Sequence, residues 1–370
     1  MPKIISVIGL NFSQLRKHKS LGLQFILEIS KPELFFPFFL CLMVVSVTEG
    51  VFLQTQRSMS LLIVFSCELI ILDFCTDQPQ LMRYVCVLVC TAVRVIETIS
   101  TFAIVFGVTS VDDEMFALLA RDDNQVAVYS INDYRLLRHI HLPGLKTASV
   151  ANMTSCVRHK CLYASDRNNR CIHRYDLSSR VSAMTKQITR KQISKWSVPG
   201  FPGGLSVTPG SCNLLVACWD YYVMPSKLVE LRADSGQLVR EITLQSDIEW
   251  LHHVVQLTTG QYVVCHGDWS TLNRMCMVDA EGRVSRSYGG QRGSGVGQLD
   301  WPRHLAVDED SQSIFVADYY NGRVVLLSSR LEFVREFSEE VSDPNGLYFH
   351  QTTRRLFVGT RDGGVVVIQL

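Results

Sequence analysis

By type and spacing, His253 and His304 are the residues best suited to chemistry. In "HHVVQL" (252–257) and "PRHLAV" (302–307) they stand at the same place before an apolar run. Imidazole nitrogens bind divalent metals and move protons near neutral pH. A catalytic zinc ordinarily takes three protein ligands and leaves one position open. The matching stretches "PGGLSV" and "PNGLYF" put glycines, Gly204 and Gly346, at the same place, so the pair supplies two ligands and is a weak metal candidate. Its alternative is a pair of polar side chains bonded to water.

Other chemical signatures are sparse. Asp122, Asp166, Asp220, Asp268, Asp318 and Asp362 each close a short apolar run, from "FALLARD" through "CLYASD", "LLVACWD", "YVVCHGD" and "IFVAD" to "LFVGTRD". A residue that recurs six times is architectural, and its carboxylate is expected to cap a turn by accepting backbone N–H bonds. The 12 cysteines contain no C-x-x-C, and the first five (Cys41, Cys67, Cys75, Cys86, Cys90) lack the interleaved histidines of a zinc-binding ligase domain. Cys161, Cys218 and Cys265 lie in apolar runs and read as small buried hydrophobes. Cys156 and Cys161 flank the turn "VRHK", where a cross-hairpin disulfide would imply an oxidising compartment. The glycines of "YGGQRGSGVGQ" neither follow a strand nor open a helix, and no Gly-x-Ser-x-Gly elbow occurs, so phosphate-loop and hydrolase chemistries are not expected. The sequons at Asn11 and Asn152 matter only in a secreted chain.

The elements that carry these residues are strands. In "LDWPRHLAVDEDSQSIFVADYYNGRVVLLSS" (299–329) three apolar runs are cut by the turn-forming "DEDSQ" and "DYYNG". The runs are too short for helices and rich in β-branched and aromatic residues, which fits an antiparallel meander. The six aspartates are spaced 44, 54, 48, 50 and 44 residues apart. That period, with several strands in each unit and no helical pattern, predicts a six-bladed β-propeller of four-stranded antiparallel blades. After Asp362 only "GGVVVIQL" remains, one strand short of a blade. An open ring would leave unpaired edges, so "TAVRVIETIS" (91–100) is expected to supply the missing strand, with "AIVFGVTSV" (103–111) as the inner strand of the first blade.

Residues 288–327 resemble a repeat of the NHL family. The matching positions are Gly293, Gly297, Pro302, Leu305, Ala306, Val307, Asp308, Val316, Ala317, Asp318, Asn321, Arg323 and Val324. Elsewhere the match is thinner: "SDRNNRCIHRYDL" keeps Asp166, Asn169 and Ile172 but has Cys171 where the arginine belongs, and "DPNGLYFHQTTRRLFVG" keeps Pro344, Gly346 and Leu347. The resemblance implies a six-bladed propeller, often a platform for protein or RNA and sometimes a lyase that holds zinc through channel histidines, the role His253 and His304 would take.

Charge narrows the choice. Residues 1–110 hold eight Lys or Arg and seven Asp or Glu, and residues 111–370 hold 28 of each. A neutral propeller lacks the general basic footprint of a nucleic-acid binder, and the one basic run, "TKQITRKQISK" with Lys186, Arg190, Lys191 and Lys195, reads as a solvated face. Residues 1–90 form an apolar extension. "LFFPFFLCLMVVSVT" (34–48) has no charge, and with "VFL" it makes a possible membrane segment over residues 34–53, preceded by Arg16, Lys17 and Lys19 as in a signal anchor. The rival expectation is a buried extension, or a stretch not part of the mature protein. "SMSLLIVFSC" and "YVCVLVCTAV" are too short to span.

The resulting expectation is an all-β chain with an extension over 1–90 and an NHL-like propeller over 91–370. It is expected to act without catalysis or cofactor, as a monomeric binding or scaffold module for a protein partner, in the cytoplasm or anchored to a membrane. An RNA-binding platform and a zinc-dependent lyase are the alternatives.

Overall fold

The computed structural model describes residues 94–370, apart from residue 102 and residues 120–124, 146–149, 178–192, 221–224, 270–271 and 339–340. Before residue 94 it describes only short strands, of which Arg16–His18 pairs with Gly50–Phe52, and Met82–Cys86 pairs with Phe25–Ile29 and Ile71–Phe74. The chain divides into two compact units, Met1–Ala92 and Val93–Leu370. The expected membrane segment over 34–53 lies outside the described residues except for Gly50–Phe52. Among the described residues no helix is long and apolar enough to cross a membrane.

The second unit is a six-bladed propeller, and every blade is a four-stranded antiparallel sheet. The innermost strands of blades 1 to 6 are Val105–Val111, Val150–Cys156, Phe201–Val207, Leu251–Gln256, Pro302–Asp308 and Pro344–His350. In blade 5, Pro302–Asp308 pairs with Ser313–Asp318, then Arg323–Leu327, then Phe333–Phe337. The ring closes as the strand count predicts. Arg94–Ser100 is the outermost strand of blade 6 and pairs with Gly364–Gln369, so the two ends of the propeller share one sheet.

The central strands are continuous apolar runs whose side chains point alternately to the two sides, so each blade has two apolar faces, one covered by each neighbouring blade. Six buried clusters therefore occupy the six blade interfaces, from the one joining blades 1 and 2 around to the one joining blades 6 and 1. Phe116, Tyr175, Tyr262, Phe315 and Phe357 are among the largest fully buried side chains. A fully buried Leu, Ile or Phe contributes about 1.5–3 kcal/mol, so the interfaces carry most of the stability. Cys161, Cys218 and Cys265 are buried in second strands, as expected. Cys156 and Cys161 are direct cross-strand partners, and both are free thiols. Asn152 is buried and its Oδ1 accepts the Leu205 amide at 3.2 Å, so the folded propeller has no room for a glycan on its Nδ2.

Candidate functional site

Each innermost strand gains one residue over its neighbour near its start. The ladder shifts between Val105 and Gly107, Val150 and Met153, Pro202 and Leu205, Leu251 and His253, Pro302 and His304, and Pro344 and Gly346. A β-bulge re-aims the side chain at the extra residue, and here it recurs in all six blades. In register, one level of the ring holds Phe106, Ala151, Gly203, His252, Arg303 and Asn345. The next holds Gly107, Asn152, Gly204, His253, His304 and Gly346.

The second level brings His253 and His304 together. Their rings lie 3.8 Å apart, both are buried, and both border a cavity of about 200 Å³ that also meets Thr109, Ser155, Tyr348 and Gln351. His253 Nε2 donates to the Leu205 carbonyl at 3.0 Å, in space that exists because residue 204 is glycine; a Cβ there would lie 2.1 Å from His253 Cδ2. His304 Nδ1 lies 3.1 Å from the Leu305 carbonyl and 3.3 Å from the Leu347 amide, contacts that call for opposite tautomers. His253 Nδ1 and His304 Nε2 are buried without a hydrogen-bond partner. Burial pushes His253 well below its usual range and His304 down to about 3, so both rings are neutral at pH 7.

Neutral imidazoles can ligate metal, but this level offers no third donor of that kind. Its other members are three glycines and Asn152, whose Oδ1 already accepts the Leu205 amide. The donor set therefore does not fit the three-ligand zinc of the lyase alternative. Among the described residues, the one grouping of three His, Cys, Asp or Glu donors close enough to share an ion lies elsewhere, at Asp166, Cys171 and His173.

The recurrent aspartates diverge in role. Asp166 and Asp318 end second strands and are fully buried. Asp166 Oδ1 accepts the Asn169 amide at 3.1 Å, the turn cap expected from sequence. Asp318 instead accepts the Asp300 amide, 2.7 Å away in the segment linking blades 4 and 5, and holds Asn321 Nδ2 and Arg323 Nε, each at 2.8 Å. Arg323 then fixes the glycine-rich segment by donating to the carbonyls of Ser294 and Gln298, while Asn321 donates to that of Gly293. Asp220 pairs with Arg170 at 3.3 Å, Ser342 donates to Asp362, and Asp268 lends its backbone carbonyl to Asn273 Nδ2. Asp122, Lys186, Arg190 and Lys191 lie outside the described residues.

A cluster that no single motif announces occupies the mouth where the innermost strands begin. Trp269 and Trp301 meet at 5.2 Å, Trp269 and Tyr320 at 4.8 Å, Tyr319 and Tyr320 at 4.8 Å, and Trp219 and Trp250 at 4.8 Å. Guanidinium groups lie over these faces: Arg292 over Trp269 at 4.4 Å, Arg303 over Tyr319 at 4.7 Å and Arg167 over Trp219 at 5.4 Å. Trp269 is 57% exposed and Tyr320 39%. Arg292 pairs with Asp300 at 2.7 Å, whereas Arg303 forms no ion pair among the described residues and lies over Tyr319 instead. Burial lowers the Arg303 pKa, and the nearby Arg167 and Arg361 lower it further while Tyr319 opposes them.

The chain matches no family model, and no curated protein is similar to it in sequence.

Proposed function

We propose that the protein is a non-catalytic, NHL-like binding module that takes an acidic, aromatic-rich segment of a partner protein at the mouth lined by Trp269, Trp301, Tyr320 and Arg303. The observation that carries this reading is Arg303, a guanidinium set among aromatic faces beside two other arginines and, among the described residues, without an ion pair to a carboxylate. Exposed Trp and Tyr with Arg are the side chains that anchor protein partners. A partner Asp or Glu at Arg303 would supply the missing charge, and aromatic or aliphatic side chains would cover Trp269 and Tyr320.

The surrounding charges favour a peptide over RNA. Among the described residues Arg170, Arg274 and Arg292 are answered by Asp220, Asp247 and Asp300, so much of the rim charge is neutralised and the positive charge gathers around Arg303. A single carboxylate fits that pattern, whereas a polyphosphate track requires several unneutralised cations. Selection from a random peptide display library tests the reading. Enriched sequences should combine Asp or Glu with an aromatic residue, and both Arg303→Gln and Trp269→Ala should reduce their binding at least tenfold. Enrichment without acidic residues, or affinity unchanged in both variants, contradicts it.

A further inference from the structure

We propose that Asp166, Cys171 and His173 of blade 2 form a binding site for a thiophilic divalent metal ion, of which zinc is the representative. The site is independent of the peptide mouth and of the channel histidines.

The register of the repeat shows what is unusual. In blade 5, Asp318 pairs across the ladder with Arg323, and the guanidinium neutralises the buried carboxylate at 2.8 Å. In blade 2 the equivalent pair is Asp166 and Cys171, so a thiol stands where the cation stood. His173, two residues further along the same strand, shares a face with Cys171 and brings Nε2 to 3.1 Å from Asp166 Oδ2. One donor atom from each of the three residues lies within 4.8 Å of the others, and all three residues are buried. His173 Nδ1 is itself buried without a hydrogen-bond partner, so the ring is not locked into one role by a second bond.

Thiolate, imidazole and carboxylate are a zinc donor set that leaves a fourth position open, and the two negative charges balance the ion. In the metal-free form His173 Nε2–H donates to Asp166 Oδ2. A metal would replace that proton, since two ligands about 2.0 Å from a tetrahedral ion stand about 3.3 Å apart, close to the present separation. Asn169 remains available to orient the carboxylate through the hydrogen bonds it already makes, its backbone amide to Oδ1 and its Nδ2 to Oδ2 at 2.8 Å. Lys195 lies opposite His173 on the outermost strand, and its exposed side chain can turn to solvent when the ion arrives. Burial raises the Cys171 thiol pKa, so metal uptake would release its proton. Because the donors are buried, the ion is loaded during folding.

The test uses the full chain expressed with zinc, and in parallel with cobalt, in the growth medium. Wild-type protein should retain about one metal per chain, and the cobalt form should show a near-ultraviolet thiolate charge-transfer band with visible bands of a tetrahedral ion. Cys171→Ser should lose that band and at least tenfold in metal retention, and His173→Asn should lose a similar amount. The double variant His253→Gln/His304→Gln should keep both. Folded wild-type protein without stoichiometric metal, a cobalt form without a thiolate band, or retention that depends on the channel histidines would overturn the assignment. Because the wild-type spectrum alone reports the thiolate, the test stands even if a substituted chain fails to fold. Loss of peptide binding at the mouth would leave it untouched.

Discussion

Replacing Arg323 by alanine should lower the unfolding free energy by about 3–5 kcal/mol, the usual cost of leaving one buried charge unpaired. Arg323 and Asp318 have side-chain exposures of 8% and 0%, so water cannot take over the lost contact. The same substitution releases the carbonyls of Ser294 and Gln298 and the Glu336 carboxylate. The link between blades 4 and 5 then loses its fastening along with the charge balance. A domain is typically stable by only about 5–15 kcal/mol, so the variant sits near the threshold of folding. Asp318→Asn/Arg323→Gln, which removes both charges, should lose less than Arg323→Ala alone. Denaturant midpoints measure both, and equal losses would show that the charge imbalance is not the cause.

Stability should also fall steeply on acidification from about pH 6.5, well before the carboxylates titrate. His252, His253, His266 and His304 are neutral, and burial holds His266 at about 4, His252 and His304 at about 3 and His253 well below its usual value. In the unfolded chain each titrates near 6.5. The folded pKa values are depressed, so the contribution is complete above about 6.5 and is lost as pH falls toward the folded values. Each histidine costs about 1.4 kcal/mol per pH unit, and the four together about 8 kcal/mol by pH 5. Burial is the main cause of the depression; the Arg274 guanidinium, whose Nε donates to His266 Nε2 at 3.0 Å, adds to it at His266, and the neighbouring His304 adds to it at His253. His304→Gln should reduce the slope between pH 6.5 and 5 by no more than about one quarter. A stability profile flat over that range, or a slope unchanged in the variant, contradicts the account.

The propeller was legible in the sequence because its determinants are local. The short apolar runs of "SIFVAD" and "RVVLL" and the turn residues between them write each strand directly. Counting strands after Asp362 was enough to place residues 94–100 in blade 6. Aligning "HHVVQL" with "PRHLAV" brought His253 and His304 together, and the structure sets their rings 3.8 Å apart. The aromatic mouth was not legible. Trp219 and Trp269 are 50 residues apart and Trp250 and Trp301 are 51 apart, the period of the repeat, but they come from different blades and connections, so only ring closure gathers them with Tyr320. A usable signal did exist: four tryptophans fall between residues 219 and 301, each at or beside a strand end. Blade 2 shows the intermediate case. Cys171 was visible as a departure from the repeat, but that His173 reaches Asp166 depends on two cross-strand registers.

The central claim is that the mouth around Arg303 recognises a carboxylate on a protein segment rather than a nucleic-acid backbone. Its most direct test is a titration of the full chain, followed by tryptophan fluorescence, with a selected acidic peptide and with single-stranded RNA of equal charge, each at 50 and 200 mM salt. The peptide should quench Trp269 and Trp301, bind through Arg303 and weaken only a few-fold with salt, while RNA stays unbound at 50 mM. Tighter binding of RNA, with the loss of several orders of magnitude in affinity that release of many counterions produces, would contradict the account.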